Sequence, residues 1–247
     1  MTEPASGLVG GPGGVSPGGT PWQEATVEDI VVETRRARTY RLRLTNPSPR
    51  VAGQHYVVRL TAPDGYRTQR SYSVASAPAD PSRIELTVER LEDGEVSSFL
   101  HDVVEIGDEL EVRGPIGGFF VWEDGPALLL GGGSGLVPLM SMLRLARTTG
   151  RSDQIRLVQS VRDSDELLYR DELPGPEVTV VHSRVAPPGS GRPAGRITAA
   201  DITPLIRDDQ IAYVCGSAGF AGAASQLLVD LGIPTDRVRV ERFGPSG

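Results

Sequence analysis

The residues whose types and spacing can do chemistry are concentrated in one stretch, Ala127-Leu128-Leu129-Leu130-Gly131-Gly132-Gly133-Ser134-Gly135-Leu136-Val137-Pro138, continuing to Arg144. The run Leu128 to Leu130 has no polar alternation, which reads as a strand covered on both faces, and a helix follows the glycines. Glycines there let the backbone turn and approach a ligand closely, and helix N–H groups opening onto such a loop make an anion site, most naturally for phosphate. A nucleotide-binding loop and a tight structural turn both satisfy this pattern. It is not G-x-G-x-x-G, because Leu136 stands three residues after Gly133, and no Asp or Glu closes the next strand, which ends at Gln159-Ser160. It is not the hydrolase elbow G-x-S-x-G either, since Leu136 follows Gly135.

Composition removes other chemistries. All 25 basic residues are arginine. Without lysine there is neither a Walker loop nor Schiff-base catalysis. One cysteine, Cys215, and three histidines, His55, His101 and His182, argue against a disulfide, an iron–sulfur cluster or a metal site. A net charge of −7 gives no footprint for nucleic acid or an anionic membrane. The glycine-interrupted apolar window is too short for a membrane span, and no signal pattern opens the chain, so a cytoplasmic protein is expected.

The elements that must position this stretch divide the chain. Residues 1–20 are dominated by Gly, Pro and Ser and read as a disordered tail. Over 21–121, β-branched alternation in Ala25–Thr34, Thr39–Leu44, His55–Ala62, Arg83–Arg90 and Glu109–Arg113, with turn signals between, predicts a small antiparallel barrel with one short helix, Val96–Asp102. Over 122–247 the rhythm becomes strand and helix in alternation. Strands are expected at 128–130, 155–160, 178–181, 211–215 and 238–242, and helices at 137–147, 165–173, 199–206 and 220–231. This is a parallel-sheet α/β nucleotide-binding domain whose ligand lies beyond the carboxyl ends of the strands.

Arg70 and Tyr72, two apart on an extended segment, share a face, which alone is as ordinary for surface residues as for a site. The order of five motifs makes the pattern specific: Arg70-Ser71-Tyr72-Ser73, Gly94-Glu95-Val96-Ser97, Gly114-Pro115-Ile116-Gly117-Gly118-Phe119, Gly133-Ser134-Gly135-Leu136-Val137-Pro138 and Cys215-Gly216-Ser217-Ala218-Gly219-Phe220. From about Trp22 onward the chain resembles the ferredoxin–NADP reductase superfamily.

The resemblance implies an FAD-binding barrel followed by an NAD(P)-binding domain. Arg70 would pair with the flavin phosphate, Tyr72 lie against the isoalloxazine ring and Ser73 bond near flavin N5. Thr87, Val88 and Glu89 would follow the adenosine side, and Gly94, Val96 and Ser97 would bind the pyrophosphate, which favours FAD over FMN. Gly133, Ser134, Gly135 and Pro138 would carry the pyridine-nucleotide pyrophosphate, with Ser134 where the family usually has Thr. Cys215 beside Gly216 would stand near nicotinamide C4, or be a small buried thiol. Ser160 and Arg162 occupy the segment where NADPH-preferring members hold the 2′-phosphate, and Arg162 is either that contact or a solvated residue. Phe243 either lies by the flavin or packs on the last strand.

The function implied is an oxidoreductase that takes hydride from NADPH or NADH onto FAD and passes electrons to a separate acceptor, a ferredoxin or other redox protein. A flavin reductase or diaphorase with a small acceptor, and a non-catalytic nucleotide-binding subunit, are the alternatives.

Overall fold

The computed structural model describes residues 20–243. The expected tail at 1–20 therefore lies almost wholly outside the described residues. Two sheets follow in sequence. The first holds β1 (Gln23–Val32), β2 (Ala37–Leu44), β3 (His55–Thr61), β4 (Arg67–Ser73), β5 (Arg83–Glu89) and β6 (Glu109–Ile116), in the antiparallel order β4-β3-β6-β1-β2-β5. Its two edges meet through a Val74–Leu86 bridge, extended by the Ala75 N–H donating to the Glu85 carbonyl at 2.8 Å. That contact closes the sheet into a barrel. Tyr40, Leu42, Tyr56, Val58, Ile84, Leu86 and Val112 fill it, with α1 (Glu95–Asp102) contributing Val96 and Leu100.

The second sheet is parallel: β7 (Ala127–Gly132), β8 (Ile155–Val161), β9 (Val178–His182), β10 (Ile211–Ser217) and β11 (Val238–Phe243), in the order β11-β10-β7-β8-β9. β7 is central, and its leucines are fully buried, as its unbroken apolar run requires. α2 (Leu136–Thr148) packs on one side of the sheet. On the other side lie α3 (Ala199–Ile202) and α4 (Ala218–Asp230), the latter through Ala221, Ala224 and Leu228.

α2 is buried almost all round because its second face meets the barrel. Ser141 donates to the Ser76 carbonyl at 2.8 Å, and Arg144 binds Glu85 at 2.6 Å and the Ala75 carbonyl at 3.0 Å. Beside it a buried chain of hydroxyls crosses the seam. The Thr87 Oγ1 lies 2.7 Å from Thr39 Oγ1 and 2.5 Å from the Tyr169 hydroxyl, while Glu33 accepts from Thr39 and from the Tyr169 N–H. The two sheets share one apolar core, in which Ala37, Ala52 and Ala75 of the barrel side meet Leu139, Met142, Tyr213 and Cys215.

Two expected helices are corrected. The segment 165–173 is a single 3-10 turn, Ser164–Glu166, followed by turns. The Asp163 carboxylate takes the Asp165 and Glu166 N–H groups, and Tyr169 sits at φ 50°, outside any right-handed helix, so that its ring reaches the barrel. The helix expected at 199–206 stops at Ile202, because Pro204 removes a donor and a 3-10 turn, Thr203–Leu205, replaces the next turn. β4 is the extended segment on which Arg70 and Tyr72 were expected to share a face, although its polar composition kept it out of the strands expected from alternation.

Candidate functional site

On the barrel side the site is built from β4 and α1. Pairing of β4 with β3 sets Tyr72 opposite Tyr56 and Arg70 opposite Val58, so Tyr72 and Arg70 share the inward face of β4. Tyr72 packs against the barrel core, and burial pushes its phenol well above its ordinary value, so the ring is neutral. Arg70 is exposed, and its guanidinium bonds only the Gln69 carbonyl at 3.1 Å, with no carboxylate partner among the described residues. Ser73 alternates to the other face and is buried.

Facing β4 is the start of α1. Gly94 is its N-cap and has no side chain to cap it, so the N–H groups of Glu95, Val96 and Ser97 have no partners among the described residues. The Ser97 hydroxyl does not reach outward. It donates to the Gly94 carbonyl at 3.1 Å and accepts from the Leu91 N–H at 3.1 Å, which holds the loop in shape. A guanidinium without a carboxylate partner and a row of free N–H groups form a donor set that suits a phosphate-bearing group. The Glu95 carboxylate of the same turn is held by the Tyr66 hydroxyl at 3.0 Å. Thr87, Val88 and Glu89 stand differently. The Thr87 hydroxyl is committed to Thr39 and Tyr169, and the Val88 carbonyl lies 3.0 Å from His101 Nε2.

In the parallel domain the carboxyl ends of β7 and β10 meet at bare backbone. Gly133 has φ 55°, which turns the chain into a 3-10 turn, Gly133–Gly135, leading into α2. A Cβ on Gly135 would collide with the Cys215 carbonyl and would lie 2.6 Å from the Gly216 nitrogen. The glycine loop and the Cys215-Gly216 segment therefore touch directly, and Ser134 stands half-buried between exposed Gly133 and buried Gly135. Pro138 sits buried in the first turn of α2. Phe220 fills the space that Gly132 and Gly216 leave, since a Cβ on either would come within 2.7 Å of its ring.

Gln159 is a residue the sequence reading passed over. Buried at the end of β8, it donates from Nε2 to the Gly133 carbonyl at 3.0 Å, and its Oε1 has no partner. A lone amide inside the apolar run Leu157-Val158-Gln159 was the available signal. Ser160 follows it, half-buried. Arg162 is exposed and pairs with Glu166 at 3.3 Å.

Where the sheets meet, Cys215 is fully buried, and burial, reinforced by Glu241, pushes its thiol far above the usual value. Burial of this kind favours the thiol over the thiolate. Glu241 lies beside it in the β10–β11 register, and Phe243 on the same face packs into the shared core. Burial raises the Glu241 carboxyl from 4.5 to about 7.

A raised carboxyl favours the folded state below the unfolded value, and that contribution is lost as pH rises through the folded one. Glu241→Gln is therefore expected to match the wild type in denaturant stability below about pH 4.5 and to exceed it above pH 7. The gap should be on the order of 3 kcal/mol. A gap that does not vary with pH contradicts a buried, titrating Glu241.

Residues 24–121 match the oxidoreductase FAD-binding domain family, and residues 129–226 match the oxidoreductase NAD-binding domain family. The chain is 30% identical over 236 residues to the ferredoxin–NAD(P)+ reductase component of the naphthalene 1,2-dioxygenase/salicylate 5-hydroxylase systems of a Ralstonia species, covering 91% of this chain and 70% of that one. It is 33% identical over 199 residues to the glycine betaine monooxygenase reductase subunit of Chromohalobacter salexigens, covering 74% of this chain and 53% of that one. Thus it spans about half the length of the second relative. The fold superposes on a ferredoxin NADP+ reductase from Neisseria gonorrhoeae, solved with bound FAD and NADP, with a TM-score of 0.76 at 22% identity, covering 90% of this chain and 98% of that one.

Proposed function

The chain belongs to the ferredoxin–NADP reductase superfamily of FAD- and NAD(P)H-dependent oxidoreductases, and from that premise we propose that it moves electrons from NAD(P)H to a separate ferredoxin-type protein. A bound FAD would supply the chemistry that links a two-electron hydride donor to a one-electron acceptor. The protein supplies binding, orientation and the exclusion of water.

Arg70 and the first-turn N–H groups of α1 would hold the flavin's phosphates, and Tyr72 and Ser73 would serve its ring system, the one as an apolar face and the other as a hydroxyl. Gly133 to Gly135, with Pro138 opening α2, carry the nicotinamide nucleotide's pyrophosphate. Cys215 and Gly216, both buried, would back the nicotinamide site with uncharged groups, and Phe243 packs against the same cluster. The observation that carries this reading is the shared core. The apolar cluster that contains Cys215 also contains Ala75, two residues beyond Ser73, so both halves of the site lie along one seam. The buried thiol of Cys215 suits the reducing cytoplasm, where we place the protein.

Arg162 supports a preference for NADPH, although the 2′-phosphate must take it from Glu166. Cytochrome reduction measured with each nicotinamide, with and without an added ferredoxin, tests both points. Faster turnover with ferredoxin and with NADPH is expected, and Arg162→Ala should narrow the nicotinamide ratio. Equal rates with and without ferredoxin would replace the protein acceptor with a small one, as in a diaphorase. The relative from Ralstonia, named as a ferredoxin–NAD(P)+ reductase component, favours the protein acceptor.

A further inference from the structure

Gln159 stands opposite Gly131 in the β7–β8 pairing, on the side of the sheet that α2 covers. Gly131 has no positive φ, so its backbone does not demand glycine. The space does: a Cβ there would overlap Gln159 Oε1 and lie 3.3 Å from Leu136 Cα and Leu139 Cδ1. The missing side chain lets the amide lie over β7 and reach the glycine loop. Gln159 Nε2 donates to the Gly133 carbonyl at 3.0 Å and to the Ser160 carbonyl at 3.3 Å, and two carbonyl partners fix which end of the amide carries the hydrogens. Oε1, by contrast, is buried without a partner, in a residue only 1% exposed. A buried acceptor without a bond costs stability, so packing alone does not account for a glutamine in this apolar strand.

We propose that Gln159 is a positioning residue for the nicotinamide nucleotide, setting the orientation of the Gly133–Ser134 peptide. This rests on the NAD(P)H reading above and adds the residue that presents the loop's donor. That peptide is trans, since the one cis bond among the described residues is Gly114–Pro115, and in a trans peptide C=O and N–H point in opposite directions. Drawing the Gly133 carbonyl inward to Gln159 therefore turns the Ser134 N–H outward, to the side on which the pyrophosphate is read. Gly133, exposed and at φ 55°, has the freedom to present this peptide either way. The Leu136 N–H also donates to its carbonyl, as part of the 3-10 turn, but among the described residues no side chain other than Gln159 bonds it. Gln159 acts through Gly133 and not on the nucleotide itself. NADPH and NADH share the pyrophosphate, so its effect is common to both, unlike that of Ser160 and Arg162.

Stopped-flow reduction of the FAD-loaded protein by NADPH and by NADH, with denaturant unfolding of the same samples, tests this in the wild type, Gln159→Met and Gln159→Leu. Both variants keep an apolar filling of the site and remove the donor. Loss of one oriented bond to a charged group predicts a dissociation constant about 10-fold higher for each nucleotide, by the same factor in both variants. The reduction rate at saturation should stay near the wild-type value, because the pyrophosphate is bound alike in the ground and transition states. The denaturant midpoint should not fall, since the unpartnered Oε1 leaves with the amide. Unchanged dissociation constants overturn the proposal. A loss in only one variant overturns it, because shape and not the bond would then matter, and a loss confined to NADPH overturns it by placing Gln159 with the 2′-phosphate. A midpoint well below the wild type in both variants assigns Gln159 to the fold itself and overturns it too. A wild type whose flavin neither nucleotide reduces overturns the NAD(P)H reading, a separate outcome.

Discussion

Arg70→Ala is expected to weaken FAD binding about 10- to 100-fold while leaving the fold's stability within about 0.5 kcal/mol of the wild type. The asymmetry comes from what the side chain touches. Its guanidinium is exposed and bonds only the neighbouring Gln69 carbonyl, so the folded protein loses almost nothing with it. A phosphate, by contrast, loses a charge-assisted bond that fixes both distance and orientation. Arg70→Lys should recover only part of the affinity, because an ammonium cannot make the planar two-point contact. Flavin fluorescence titration reads the affinity, and denaturant unfolding reads the stability. Unchanged FAD affinity in Arg70→Ala would remove Arg70 from the site.

Gly135→Ala is expected to act on the other half alone. Any Cβ there meets the Cys215 carbonyl and the Gly216 nitrogen, which are backbone atoms that cannot rotate away, so the loop or the end of β10 must move. Overpacking of this kind costs about 1–3 kcal/mol. The functional cost should be larger, because a displacement of about 1 Å at a positioning loop is enough for a 100-fold loss of rate. The rate of flavin reduction by NAD(P)H should fall by about that factor, while FAD affinity, set by β4 and α1, stays put. Rapid-mixing absorbance separates the two, and a normal reduction rate would show that the glycine loop is a structural turn and no more.

The residues differ in how far the sequence betrayed them. β7 was legible because a strand buried on both faces must be apolar throughout, and Leu128 to Leu130 are fully buried. The glycines were legible as a close approach, although not which backbone they approach. The partner, Cys215, lies 80 residues away and is brought in by the parallel β7–β10 pairing. β4 was legible only through the Arg70–Tyr72 spacing, because its polar residues, Arg67 to Ser71, carry no apolar period.

The helix expected at 165–173 failed for a tertiary reason. Its helical periodicity, Leu167, Leu168 and Leu173 around Tyr169, serves a contact with the barrel that needs Tyr169 at positive φ. Glu241 carried no signal of its own in the sequence. Its place beside Cys215, half-buried, depends on the β10–β11 register, which no local pattern encodes.

The most direct test of the central claim is anaerobic titration of the FAD-loaded protein with NADPH and with NADH, followed by flavin absorbance. If the seam between β4 and the Gly135–Cys215 contact joins flavin to nicotinamide, either nucleotide should bleach the oxidised flavin in stoichiometric amounts. A protein that binds FAD, yet whose flavin spectrum neither nucleotide changes, would contradict the claim.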